Sequence, residues 1–371
     1  MRALHRVTAA LAAATLAFTT ATAPSALGAE KQPADIAGNA AASTISEQVP
    51  EIKGSDPVWR TKVKKASEDA NTQGRIKELQ ATSPSMNRTV PLVVVKAKSP
   101  NSPTYYLLNG AGGGDQKAHD WVANTDALQY FLEQDVNLVI PMAGMFSYYI
   151  DWVQSPGGQL AKKGEQKWET FLTKELPGPL ERYLGANGKR AISGMSMSAT
   201  SSLLLAQHNQ GFYDAVGSFS GCAETSTPMG YAFAGITVNR AGENPERMWG
   251  PLGSPSNLYQ DALANAEKLR GTTLYISNGS GLIGESDTAG WLQEQGMSPQ
   301  QAQVGSATLL VEGGVIEGAT NVCTHNLEAK LNSLNIPATY NFNNVGTHTW
   351  TYWNADLKKS WKEVIEPALN S

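Results

Sequence analysis

The sequence predicts an α/β protein: a doubly wound, mostly parallel sheet with helices on both faces. Short apolar, β-prone runs recur along the chain, at 89–96 (TVPLVVVK), 104–108 (TYYLL), 137–142 (NLVIPM), 190–193 (RAIS), 215–219 (AVGSF), 272–277 (TTLYIS) and 338–342 (ATYNF). Segments with apolar residues at helical spacing lie between them, as with Trp168, Phe171, Leu172 and Leu176. Strands that read as continuous apolar runs are buried on both faces, which is how a parallel sheet covered by helices is written.

In chain order, residues 1–29 carry Arg2 and Arg6, an Ala/Leu-rich core too short to span a bilayer, then small residues up to Ala29. That is a secretory signal, cleaved after Ala29 in preference to Ala23, which Pro24 follows; a retained membrane anchor is the competing reading. Residues 30–55 are Ala/Ser/Pro-rich without apolar periodicity and are expected to form a mobile leader. A single domain is expected over 56–371, beginning with a charged segment, 58–79, that could hold a helix. Pro91 marks 89–96 as an edge strand. Pro177 and Pro179 interrupt the helical pattern that starts at Trp168. A helix is expected over 327–334 and an amphipathic one over 357–369. No later segment is apolar for long enough to cross a membrane, so the mature chain reads as exported, to the cell envelope or beyond, without a transmembrane segment.

The 371 residues include 29 basic and 33 acidic ones with no long basic run, which argues against a phosphate-tracking, nucleic-acid-binding surface. Two cysteines, Cys222 and Cys323, in an exported chain predict one disulfide, the alternative being two buried thiols. Neither a C-x-x-C pair nor a set of metal ligands at zinc spacing is present, and no cofactor is expected.

Residues 189–209, KRAISGMSMSATSSLLLAQHN, organise the rest. A short strand ends in Gly194-Met195-Ser196-Met197-Ser198, and a helix follows at once. Strand, sharp turn and helix with serine at the apex is the nucleophile elbow, and it narrows the fold to an α/β-hydrolase. Small residues must flank the serine because the turn is strained; Gly194 supplies one side and Ser198 stands where a second glycine is usual.

A serine hydroxyl needs a base to take its proton, and the imidazole needs a carboxylate behind it. His348 follows the last expected strand, where this fold places the base, whereas His119, His208 and His325 sit at unsuitable points. The acid should follow the 272–277 strand, which makes Glu285 the favoured candidate and Asp287 the alternative; either could be a solvated loop carboxylate instead. Two backbone N–H groups should receive the developing oxyanion: that of Met197, and that of Ala111 or Gly112 in the glycine-rich loop after 104–108. Two long connections, 143–166 and 222–265, leave strands beside the elbow. The first carries Phe146, Tyr148, Tyr149 and Trp152, either as a wall for an apolar or sugar-bearing substrate or as loop core.

Several further motifs stand in order: 79–86 (LQATSPSM), 106–110 (YLLNG), 168–177 (WETFLTKELP), the GMSMS elbow, 248–251 (MWGP) and 346–353 (GTHTWTYW). With them the chain, from about residue 76 to its end, resembles the mycolyltransferases, the antigen 85 group and their corynebacterial relatives. The resemblance implies an acyl-enzyme on Ser196, with His348 as base and Glu285 as acid. It also implies an oxyanion hole from Ala111 and Met197, and Trp350 lining the site. Trehalose monomycolate would be the acyl donor. The acceptor would be a glycolipid such as trehalose monomycolate, arabinogalactan or an envelope protein. Relatives carry Asp and Arg near the trehalose where this chain has Asn109 and Gly112, so sugar recognition is expected to differ. The C-terminal repeat domain of some corynebacterial members is not expected. A secreted carboxylesterase with water as acceptor is the alternative reading, and a binding module that retains the fold is a third.

Overall fold

The computed structural model describes residues 40–371, so the expected signal, 1–29, and the start of the leader lie outside the described residues. The strands are β1 (Ile45–Ser46), β2 (Ile76–Ser83), β3 (Arg88–Val95), β4 (Thr104–Leu108), β5 (Asn137–Pro141), β6 (Arg190–Met195), β7 (Ala215–Phe219), β8 (Thr273–Asn278) and β9 (Thr339–Phe342). They form one sheet in the order β1-β2-β3-β5-β4-β6-β7-β8-β9. Pairing is antiparallel from β1 to β5 and parallel from β5 to β9, so the sheet is mixed and mostly parallel.

Every residue of β4, β5 and β7 is buried. Successive side chains go to opposite faces: Tyr105 and Leu107 join one apolar core, Tyr106 and Leu108 the other. The first core is closed by helix α1 (Val58–Glu68) through Trp59 and Val63, by Trp121 and Phe131, and by the C-terminal residues Trp361, Ile365 and Leu369. The second is closed by residues between Trp168 and Leu184, by the elbow helix α2 (Met197–His208) and by α3 (Gly314–Ser333). The last helix of the set, α4 (Trp350–Ser360), begins just after the loop that carries His348. Sheet order reverses at β4, which lies between β5 and β6, so the loops after β4 and β6 face each other at the carboxyl edge. That is where doubly wound sheets hold ligands.

Five expectations are corrected. The leader is not free throughout: from Ser43, whose N–H donates to the Glu175 carbonyl, it runs into β1, and Ile45 pairs with Ala81. Pro91 does not mark an edge, because β2 and β1 lie outside β3. Its missing N–H falls just past the last β3–β5 pair, Leu92 with Pro141, while its carbonyl still accepts from Met142. The 58–79 segment is helix only to Glu68 and becomes β2 at Ile76, where tertiary pairing with β3 overrides a charged, weakly periodic sequence. The helix expected over 327–334 is the end of the much longer α3, preceded by Pro299–Thr308 and a wide turn, Leu309–Gly313. Pro177 opens a helical segment to Leu184, since a proline is tolerated in a first turn. Among the described residues no helix is long and apolar enough to cross a membrane.

Candidate active site

At the elbow, Ser196 sits between β6 and α2 with φ 56° and ψ −122°, a left-handed conformation that costs a non-glycine residue about 1–3 kcal/mol. It is held there from both sides. The Ser196 N–H extends the β6–β7 ladder to the Phe219 carbonyl at 2.9 Å. A Cβ on Gly194 would run into the Ser198 backbone, so only glycine fits. Ser198 braces the turn: its buried hydroxyl receives the Met195 N–H at 3.0 Å and lies 3.1 Å from the Leu108 carbonyl. A glycine there would leave those groups unbridged, which accounts for serine at that position.

The Ser196 hydroxyl lies 2.7 Å from His348 Nε2, and His348 Nδ1 lies 2.7 Å from Glu317 Oε2. Glu317 is buried on α3. Its other oxygen, Oε1, accepts from the Ser220 hydroxyl at 2.8 Å, the Gly279 N–H at 2.7 Å and the Asn278 amide at 3.0 Å. Burying a carboxylate is costly unless donors such as these satisfy its oxygens. The Trp353 indole packs edge-on against the His348 ring, 4.8 Å between centroids, and donates to Ser220. Serine, imidazole and carboxylate thus form one line, the arrangement that lets an imidazole take a hydroxyl proton while its second N–H stays oriented.

The carboxylate in that line is not one of the two expected from the loop after β8. Glu285 is exposed. Asp287 is buried but spends its oxygens on the Gly284 N–H, the Thr347 hydroxyl and the Tyr352 hydroxyl, at 2.8, 2.9 and 2.7 Å. It therefore ties down the residues flanking His348 without touching the ring. Burial, with the Asp287 carboxylate adding to it, pushes the Tyr352 hydroxyl up to about 12, so it stays a donor. Glu317 satisfies the chain order between Ser196 and His348 just as Glu285 does. The short helix expected at 327–334 began too late to include it.

Cys222 and Cys323 are bridged, with Cα atoms 4.9 Å apart and a sequence separation of 101. The bond pins α3, six residues beyond Glu317, to the segment after β7 that carries Ser220. Glu224 lies beside both sulfurs, but bridged cysteines offer no thiolate for a metal. Replacing both cysteines by serine should cost about 2–4 kcal/mol of stability and lower kcat more than it raises KM, because the Glu317 helix loses its anchor. Chemical denaturation and steady-state kinetics on the variant test this; unchanged kcat would separate the bridge from the site.

A cleft of about 330 Å³ opens over Ser196 and His348. Ala111, Gly112 and Trp350 line it, as expected. Among the described residues the backbone N–H groups of Ala111 and Met197 have no protein acceptor. Asn109 does not reach the cleft: it is buried, donating to the Pro141 carbonyl and accepting from the Trp121 N–H, each at 3.0 Å. The proposed aromatic wall is loop core, since Phe146, Tyr148, Tyr149 and Trp152 are all buried. Two residues the sequence did not single out do line the cleft, His119 and Arg240. Arg240 also stacks over the Phe146 ring at 5.5 Å. A basic side chain in the 222–265 connection was the available signal.

A serine at a strained strand–helix turn, on the switch point of a mostly parallel sheet, makes this an α/β-hydrolase fold. The Esterase family model matches residues 83–363. The diacylglycerol acyltransferase/mycolyltransferase Ag85A of Mycobacterium tuberculosis is 32% identical over 307 residues, 80% of this chain and 82% of the relative. The Ag85B protein of Mycobacterium intracellulare is 29% identical, over 80% of this chain and 84% of the relative. Among solved structures, Mycobacterium tuberculosis MPT51 (FbpC1) superposes with a TM-score of 0.62 at 18% identity, covering 79% of this chain and 98% of that one. The Staphylococcus aureus serine hydrolase FphF gives 0.55 at 14% identity, covering 80% and 98%. The two structures share the fold; the sequence matches go further, and the chain belongs to the Esterase family and, within it, to the Ag85 mycolyltransferases.

Proposed function

We propose that the protein is a secreted serine acyltransferase that moves a mycolyl group from trehalose monomycolate to an envelope acceptor. The line from Ser196 through His348 to Glu317, with both contacts at 2.7 Å, is the observation that carries this reading. Ser196 Oγ attacks the ester carbonyl carbon as His348 Nε2 takes the hydroxyl proton. The N–H groups of Ala111 and Met197 receive the oxyanion, aided by the α2 N-terminus. The bond from the acyl carbon to the sugar oxygen then breaks, and His348 returns the proton to that oxygen. In the second half, an acceptor hydroxyl gives its proton to His348 and attacks the acyl carbon, and Ser196 leaves and is reprotonated. Glu317 holds the imidazole in the required tautomer and offsets its transient charge. The acceptor is a second trehalose monomycolate, arabinogalactan or a protein hydroxyl, and export rests on the Arg2/Arg6 leader pattern.

Support for the acyl group comes from the relatives named diacylglycerol acyltransferase/mycolyltransferase. Gly112, in place of an arginine fork, favours weaker trehalose binding than in those relatives. The test is incubation of the protein with trehalose monomycolate and each acceptor in turn. Acyl groups are expected on an acceptor in excess of free acid. Free acid alone would replace transfer by hydrolysis, and neither product would refute the reading.

A further inference from the structure

Large apolar side chains lie exposed beside the cleft. Leu282, Val311 and Val315 are 65%, 64% and 70% exposed, and Ile283, Ile316 and Val322 are 41%, 46% and 48% exposed. Single exposed apolar residues are ordinary; a contiguous set marks a surface that meets something apolar. These are gathered on two neighbouring segments, the loop after β8 and the chain around the start of α3. Val315 and Val322 are seven residues apart on α3, which a helix places on one side, and Val311 lies in the turn just before it. The loop carrying Leu282 packs on the start of α3, where a Cβ on Gly281 would meet the Gly314 carbonyl. The set also runs into the cleft, because Leu309 and Ile316 line it.

Charge narrows the occupant. Residues 271–329 contain no lysine or arginine and six acidic residues. Among the residues lining the cleft, Arg240 carries the one fixed positive charge, and the exposed Glu312 lies at the same rim. Attraction to anionic lipid requires clustered basic residues, which this face lacks. A folded protein seated over Leu309 and Ile316 would cover the cleft mouth, whereas a lipid layer would deliver acyl chains to it.

We infer that this face docks on an uncharged glycolipid layer, with the cleft mouth turned toward the lipid. The inference deepens the acyl-transfer reading and rests on it for the choice of lipid. The test is flotation of the full chain with phosphatidylcholine vesicles carrying a long-chain fatty ester of trehalose, and with vesicles in which phosphatidylglycerol replaces part of the phosphatidylcholine. The parent is expected to float with the neutral vesicles, insensitive to salt, and to bind the anionic ones no better. The L282Q/V311Q/V315Q variant should partition about tenfold less, with its melting temperature and its kcat/KM on a water-soluble short-chain ester unchanged. Equal flotation of variant and parent, or failure of the parent to float, overturns the inference. So does a parent dimer that the variant loses, since a second copy would then occupy the face. Flotation that the variant loses, with no ester turned over by either protein, keeps the surface and removes the acyl-transfer reading.

Discussion

Ser196→Ala is expected to abolish transfer and hydrolysis together, lowering kcat by roughly 10⁴- to 10⁶-fold, as loss of a nucleophile does in serine enzymes whose groups act as a unit. Folding should be spared. The removed hydroxyl reaches His348, while the Ser196 backbone keeps its bond to Phe219. Alanine is no better suited than serine to φ 56°, so stability should stay within about 0.5 kcal/mol. Ser196→Gly should be as inactive yet more stable by about 1 kcal/mol, because glycine enters that region without strain. Thermal denaturation and single-turnover acylation of the three proteins check the pair of statements. Near-parent turnover by Ser196→Ala would move the nucleophile elsewhere.

Glu317→Gln should lose about 10²- to 10⁴-fold in kcat, and Glu285→Gln less than about twofold. The reason is tautomeric. A glutamine at 317 can keep its carbonyl toward Ser220, Asn278 and Gly279, the donors now on Oε1. Its NH₂ then faces His348 Nδ1, which must accept. The imidazole proton is thereby forced onto Nε2, the atom that has to receive the Ser196 proton. Substrate binding does not pass through Glu317, so KM should change little, and a fall in kcat at nearly constant KM distinguishes this from general loosening. Comparable losses in the two variants would return the acid to the loop after β8.

The parts of the fold legible in the sequence are those set by local chemistry. Apolar runs such as TYYLL and AVGSF are written for burial on both faces, and the small-residue elbow around Ser196 needs no distant partner to be recognised. His348 was legible because it directly follows a strand. The outer strands were less so: β2 looks like charged helix until β3 is beside it, and Pro91 looks like an edge until its place at the end of one ladder is seen.

The residues placed wrongly all depend on who arrives from elsewhere. Asn109 looks like a ligand-facing amide, yet Pro141 and Trp121 converge on it. Phe146 and Trp152 look like a binding wall, yet they are packed into the core.

The carboxylate shows the division most sharply. The sequence by itself determined most of the sheet and the elbow, and it marked Ser196 and His348, because strand burial and a strained turn are properties of a few adjacent residues. Only the tertiary structure decided which carboxylate stands behind His348. Glu317 comes to His348 on a long helix held by the Cys222–Cys323 bridge, and a buried charge is placed by the donors around it, which chain order does not reveal.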